Sequence, residues 1–111
     1  MMLILALALQ TAAPPAPDAE VAADLRCLAI VSMTIASAAS DTEAGLVASA
    51  MYFVGRIDSR SPGFDYRGEL VRLIRRGTDL EADAPRCGAL LQQRGAALVE
   101  LGNALKAEGR K

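Results

Sequence analysis

DAEVAADLRCLAIVSMTIASAA, residues 18–39, is the stretch that decides the fold. Leu25, Leu28, Val31 and Ile35 recur at the three- and four-residue spacing that lines up one face of an α-helix. Asp18 stands where an N-cap belongs, and Glu20 puts a negative charge in the first turn, where the helix dipole favours it. From Cys27 to Ala39 no residue is charged, and Ile30 and Met33 lie off the main stripe. A helix apolar around most of its circumference is either central to a core or covered by a partner. Ile30 and Met33 are therefore a candidate partner surface.

Three further helical segments follow. Ser40-Asp41-Thr42-Glu43 has the S-x-x-E spacing of a capping box and opens a second helix to about Ser59, with Leu46, Ala50, Phe53 and Ile57 as its buried stripe. Tyr52 and Arg56 lie one turn apart on its flank, within reach of a cation–π contact. Ser61-Pro62-Gly63-Phe64 reads as a turn. Asp65 caps a third helix, Tyr66 to Arg76, which Gly77 stops; Leu70, Val71, Leu73 and Ile74 are its expected buried residues. Thr78-Asp79-Leu80-Glu81 repeats the capping pattern, but Pro85 limits it to about a turn.

The last helix runs from about Pro85 to Ala107. Cys87, Leu90, Leu91, Leu98, Leu101 and Leu105 cover one side and Gln92, Gln93, Glu100 and Asn103 the other. Gly88, Gly95 and Gly102 recur every seven residues along one edge of the apolar face. Either another helix approaches closely there, or the helix tolerates them at about 1 kcal/mol each. Arg94 falls within the leucine side. Either its stem lies on apolar surface with the head in water, or it pairs with a carboxylate across the bundle.

Composition agrees with an all-α chain. Of 111 residues, twenty-two are Ala and fifteen Leu, while aromatic residues make up 4%. A β-sheet would want branched and aromatic side chains. Twelve Lys and Arg against thirteen Asp and Glu leave a formal charge of −1, without the basic footprint of a nucleic-acid binder.

The N-terminal run MMLILALAL, residues 1–9, is far short of the ~20 residues that span a bilayer, but it has the length of a signal-peptide apolar core. The expected organisation is a signal at 1–13, with cleavage between 12 and 19, a Pro-rich linker at 14–17, one helical domain at 18–107 and a frayed tail at 108–111. No lysine or arginine precedes the run, and Pro14 follows the most natural cleavage point. An uncleaved apolar tail on a cytosolic protein is the alternative. Export leaves a periplasmic or secreted protein with no integral membrane span once the signal is removed.

The two cysteines, Cys27 and Cys87, cannot complete a four-ligand zinc site, and there is no His to assist. In an oxidising compartment they form one structural disulfide; in a reduced cytosol they are two buried thiols. A bridge between the third turn of the first helix and the first turn of the last is incompatible with a regular up-down-up-down bundle, whose first and fourth helices run antiparallel. Helices one and four must cross near their N-terminal ends or run roughly parallel. The expected fold is a small, irregular bundle of four helices.

Without His, Ser-His-Asp and Cys-His catalysis are excluded. No phosphate-binding glycine loop is present. The carboxylate pairs, Glu20 with Asp24 and the run Asp79, Glu81 and Asp83, read as solvated surface. No enzyme activity, cofactor or metal is expected. Arg56, Arg60, Arg67, Arg72, Arg75 and Arg76 gather positive charge, which Asp58, Asp65 and Glu69 halve. Arg67, Arg72, Arg75 and Arg76 are a candidate basic patch, or else a solvated face with Glu69 paired to Arg72.

Four segments carry a resemblance: RCLA at 26–29, YFVGRID at 52–58, SPGFD at 61–65 and PRCG at 85–88. Together they resemble small exported bacterial helical proteins with two cysteines, over about Asp24 to Leu105. In size, apparent signal and cysteine pair the chain resembles the broad type of the acid-stress periplasmic chaperones, although no functional residue carries over. The resulting expectation is a non-catalytic periplasmic protein that binds a protein partner or itself. The alternative is an acid-responsive holdase, whose thirteen carboxylates would lose their charge in acid and loosen the bundle.

Overall fold

The computed structural model describes residues 18–110. The expected signal and linker lie outside those residues. Four α-helices and one short 3₁₀ turn make up the fold: α1 Ala19–Ser37, α2 Ser40–Arg60, α3 Tyr66–Arg75, a 3₁₀ turn Glu81–Asp83, and α4 Ala84–Gly109. The described residues are all-α, an irregular bundle with one disulfide.

Helix α1 starts as its sequence dictates. The Asp18 carboxylate accepts from the Val21 amide at 2.8 Å. Only Ala38 and Ala39 separate α1 from α2, so the two form an antiparallel hairpin. The capping box does not form. Ala39, in extended conformation, is the N-cap, and Ser40 already lies inside the helix. Its hydroxyl is therefore one position too late, and the Thr42 hydroxyl instead donates to the Ala39 carbonyl at 2.9 Å.

The core is mostly the seam of this hairpin. Val21, Leu25, Leu28 and Val31 of α1 meet Phe53 and Ile57 of α2, and Cys27 and Cys87 complete the cluster. Each such apolar side chain contributes about 1.5–3 kcal/mol on full burial. Ile35, Leu46 and Ala50 pack at its edge.

Helix α3 is tied on by side chains. The Asp65 carboxylate accepts from the Gly68 amide at 3.0 Å, and Gly77 ends the helix with a φ of 67° that suits glycine. The Tyr66 hydroxyl bridges the Val54 carbonyl, at 3.1 Å, and the Asp58 carboxylate. Of the four apolar residues expected inside, only Leu73 is fully buried. Leu70 is half-buried, and Val71 and Ile74 are exposed. A ten-residue helix beside a two-helix seam has only a narrow face to bury. Thr78 does not cap a following helix; its hydroxyl donates back to the Leu73 carbonyl at 3.2 Å.

Helix α4 departs most from expectation. Cys27 and Cys87 are bonded, with Cα atoms 5.4 Å apart. Leu90 and Leu91 pack on the core edge. Beyond them the helix leaves the body. Leu98, Leu101 and Leu105, expected inside, are 67%, 54% and 63% exposed. The expected close helix along the glycine line is not there, because a Cβ at Gly88, Gly95 or Gly102 would meet nothing within 4 Å. The bridge sits in the first turn of a 26-residue helix of about 39 Å, longer than the body it leans on.

Candidate interaction surface

The foot of α4 is fixed by a polar junction. Arg26 Nε donates to Asp83 at 2.5 Å across the α1–α4 boundary. Arg86, one residue before the bridged cysteine, donates to Asp83 at 3.4 Å, to the Ala23 carbonyl at 3.0 Å and to Cys27 Sγ at 3.2 Å. These bonds converge on the disulfide and set the angle at which α4 departs.

A second junction lies beneath it. Asp24 is 1% exposed, on the seam side of α1. Both its oxygens accept from Arg56 Nε, at 3.1 and 3.0 Å, a charge-assisted contact that meets the requirement of a buried carboxylate. Arg56 also donates to the Tyr52 hydroxyl at 3.2 Å and lies 5.6 Å from that ring's centre. Asp24 was expected to pair with Glu20 as surface solvation. Instead Glu20 is exposed and bonds Arg60 at the rim. The missed signal was angular: Asp24 follows Val21 by three residues and precedes Leu28 by four, which puts it on the buried stripe.

Arg94 reaches the Tyr52 hydroxyl from α4. Arg94 is exposed, so the sequence reading with its head in water is closer than the carboxylate pair, with a tyrosine hydroxyl as its contact. Burial raises the Tyr52 pKa, but hydrogen bonds from Arg94 and Arg56 outweigh it and leave the phenol below its usual 10.0. Tyr66 is the opposite case. Burial, reinforced by the hydrogen bond and negative charge of Asp58, pushes it up to about 12.

Among the described residues, besides Val47 and Met51 on α2 and a groove on α3 lined by Leu70, Val71, Ile74 and Arg75, two apolar surfaces face outward. One is a small groove lined by Ile30, Met33, Leu80, Glu81 and Ala84. Of the two candidate partner residues, Met33 is 58% exposed, whereas Ile30 is half-buried against the core. The other is the far half of α4, with Leu98, Leu101 and Leu105. Sequence periodicity located those leucines but assigned them to the interior.

The candidate basic residues Arg67, Arg72, Arg75 and Arg76 are all exposed. Arg72 donates to Glu69 at 2.5 Å, the pairing expected of a solvated face. Arg56 and Arg60 are taken up by Asp24 and Glu20, so the cluster of six does not act as one patch.

No protein-family model, curated protein or solved structure matches this chain. Among the described residues no helix is long and apolar enough to cross a membrane, and no cluster of three or more acidic or cysteine side chains could hold a metal ion. Every buried side-chain polar atom among them has a hydrogen-bond partner. The most exposed of the large apolar side chains among the described residues lie on the far half of α4.

Proposed function

We propose that this is an exported, non-catalytic helical protein whose work is protein–protein interaction, performed by the far half of α4. The observation that carries the reading is the exposure of Leu98, Leu101 and Leu105 on a helix whose foot is covalently fixed. Contiguous exposed apolar side chains mark interaction surfaces. A rigid, stapled base reduces the ordering cost of binding. Export is supported by the apolar opening run, by the bridged cysteines and by the resemblance to small exported two-cysteine proteins. Among the described residues, Asp24 pairs with Arg56, Glu20 with Arg60, and Asp83 with Arg26 and Arg86.

Two measurements test this. Intact mass of the protein recovered from its cell should show loss of the N-terminal run and a mass two hydrogen atoms below the reduced chain. Retained methionines with two thiols would overturn export. In the cell, a photoreactive side chain at Leu98 should give a covalent protein adduct and one at Asn103, on the polar face, should not. Absence of any adduct at Leu98 would overturn the interaction role. The acid-responsive holdase reading predicts instead that the protein suppresses client aggregation in strong acid and not at neutral pH.

A further inference from the structure

We infer that the partner of α4 is a second copy of this chain, with the two α4 helices packed antiparallel beyond Leu91. This rests on the interaction reading above and names the occupant of its surface.

The spacing comes first. Leu91, Leu98 and Leu105 are seven residues apart, and Arg94, Leu101 and Glu108 form a second seven-residue line three positions on. Together they have the alternating three-and-four spacing of a two-helix seam. Leu98, Leu101 and Leu105 on that seam are more than half exposed.

The flanks come second. Gly95 and Gly102 border the seam on one side, Ala97 and Ala104 on the other. No atom outside their own helix's backbone and adjoining residues lies within 4 Å of a Cβ built on either glycine, so the face is open. Small flanks let a second helix backbone approach closely.

Charge then selects both the occupant and its direction. In a parallel pair Arg94 would face Arg94 and Glu108 would face Glu108, like charges within the seam. With Leu98 set against Leu101 of the second copy in antiparallel order, Arg94 comes within reach of the second copy's Glu108, and the two-fold axis repeats the pair. Both groups already have an interaction within their own chain, Arg94 with the Tyr52 hydroxyl, and a guanidinium with five N–H donors and a carboxylate that accepts several each retain capacity for a second partner. The seam is its own complement, in apolar content and in charge.

Sedimentation equilibrium on the disulfide-intact native protein should show a reversible dimer in the micromolar range. Leu98→Asp or Leu101→Asp should weaken it about a hundredfold or more, because the two-fold axis counts each change twice. Val99→Asp, equally exposed but off the seam, should leave it intact. These side chains stand clear of the body, so thermal melting of all three variants should match the parent and separate lost pairing from lost folding. Arg94→Glu should weaken the dimer, and adding Glu108→Arg should restore it. A monomer throughout, equal loss with Val99→Asp, or no rescue by the charge swap would overturn the proposal. A strict monomer that still cross-links from Leu98 to a different protein would overturn self-pairing and leave the interaction role standing.

Discussion

Replacing both Cys27 and Cys87 by Ser removes the disulfide cross-link between α4 and the α1–α2 hairpin. The bridge closes a segment with a sequence separation of 60. On the chain-entropy model such a loop stabilises the fold by about 4 kcal/mol. A domain of this size has roughly 5–10 kcal/mol in total. At about 4–8 °C per kcal/mol, the melting temperature should fall by about 16–32 °C. The structure adds where the loss falls. Apart from the bridge, α4 is held by half-buried Leu90 and Leu91 and by the contacts of Arg26, Arg86 and Arg94. The α1–α2 seam keeps Leu25, Leu28, Phe53 and Ile57. Hydrogen exchange on the double serine variant should show amides of α4 released first, while those of Leu25–Val31 and Phe53–Ile57 stay the better protected. Unchanged melting, or uniform loss of protection in all helices, would refute the view that the bridge is what holds α4 to an otherwise self-sufficient hairpin.

Three other outcomes follow from the same contacts. Arg56→Leu leaves the Asp24 carboxylate buried without its cation and should cost about 3 kcal/mol in urea unfolding, whereas Asp24→Leu with Arg56→Leu should lie much closer to the parent. Alkaline titration followed by tyrosinate absorbance should resolve two steps, Tyr52 below 10.0 and Tyr66 at about 12, with no tryptophan to overlap. Because the folded Tyr66 pKa lies above the unfolded value, its contribution to stability is complete below about pH 10 and lost as pH rises through about 12. Tyr66→Phe should remove the upper step and that part of the alkaline destabilisation. Gly77→Ala forces a left-handed φ on a side chain and should destabilise by about 1 kcal/mol, while Gly45→Ala, in open space on α2, should stabilise by a similar amount, both read from melting.

Local chemistry was legible in the sequence wherever one residue settles it. Asp18 and Asp65 cap the helices they precede, Gly77 ends α3, and the positions of Cys27 and Cys87 exclude a regular bundle. Periodicity also located α4. It could not say whether the leucine face is met by this chain or by another, because a seam inside a bundle and a seam between molecules have the same spacing. The buried Asp24 was obscured for a related reason. Residue type argued for the surface and helical angle for the seam, and only the presence of Arg56 opposite, thirty-two positions away, decides between them.

The exposed half of α4 also poses a question of helix energetics. Residues 92–109 include Gly95, Gly102 and Gly109, and make little tertiary contact beyond Arg94. An isolated helix of that length is marginal in water, and each interior glycine costs about 1 kcal/mol against alanine. The anchored first turns around Cys87 provide a nucleus, which removes the initiation cost but not the cost of each glycine. The leucines return nothing to a single chain while they face water. They return burial only when a second surface covers them, and the same glycines that weaken the lone helix then allow the close approach. Helicity of the far half and occupancy of its apolar face are thus linked equilibria, and amide protection at residues 95–107 should rise with protein concentration while that of the α1–α2 seam does not.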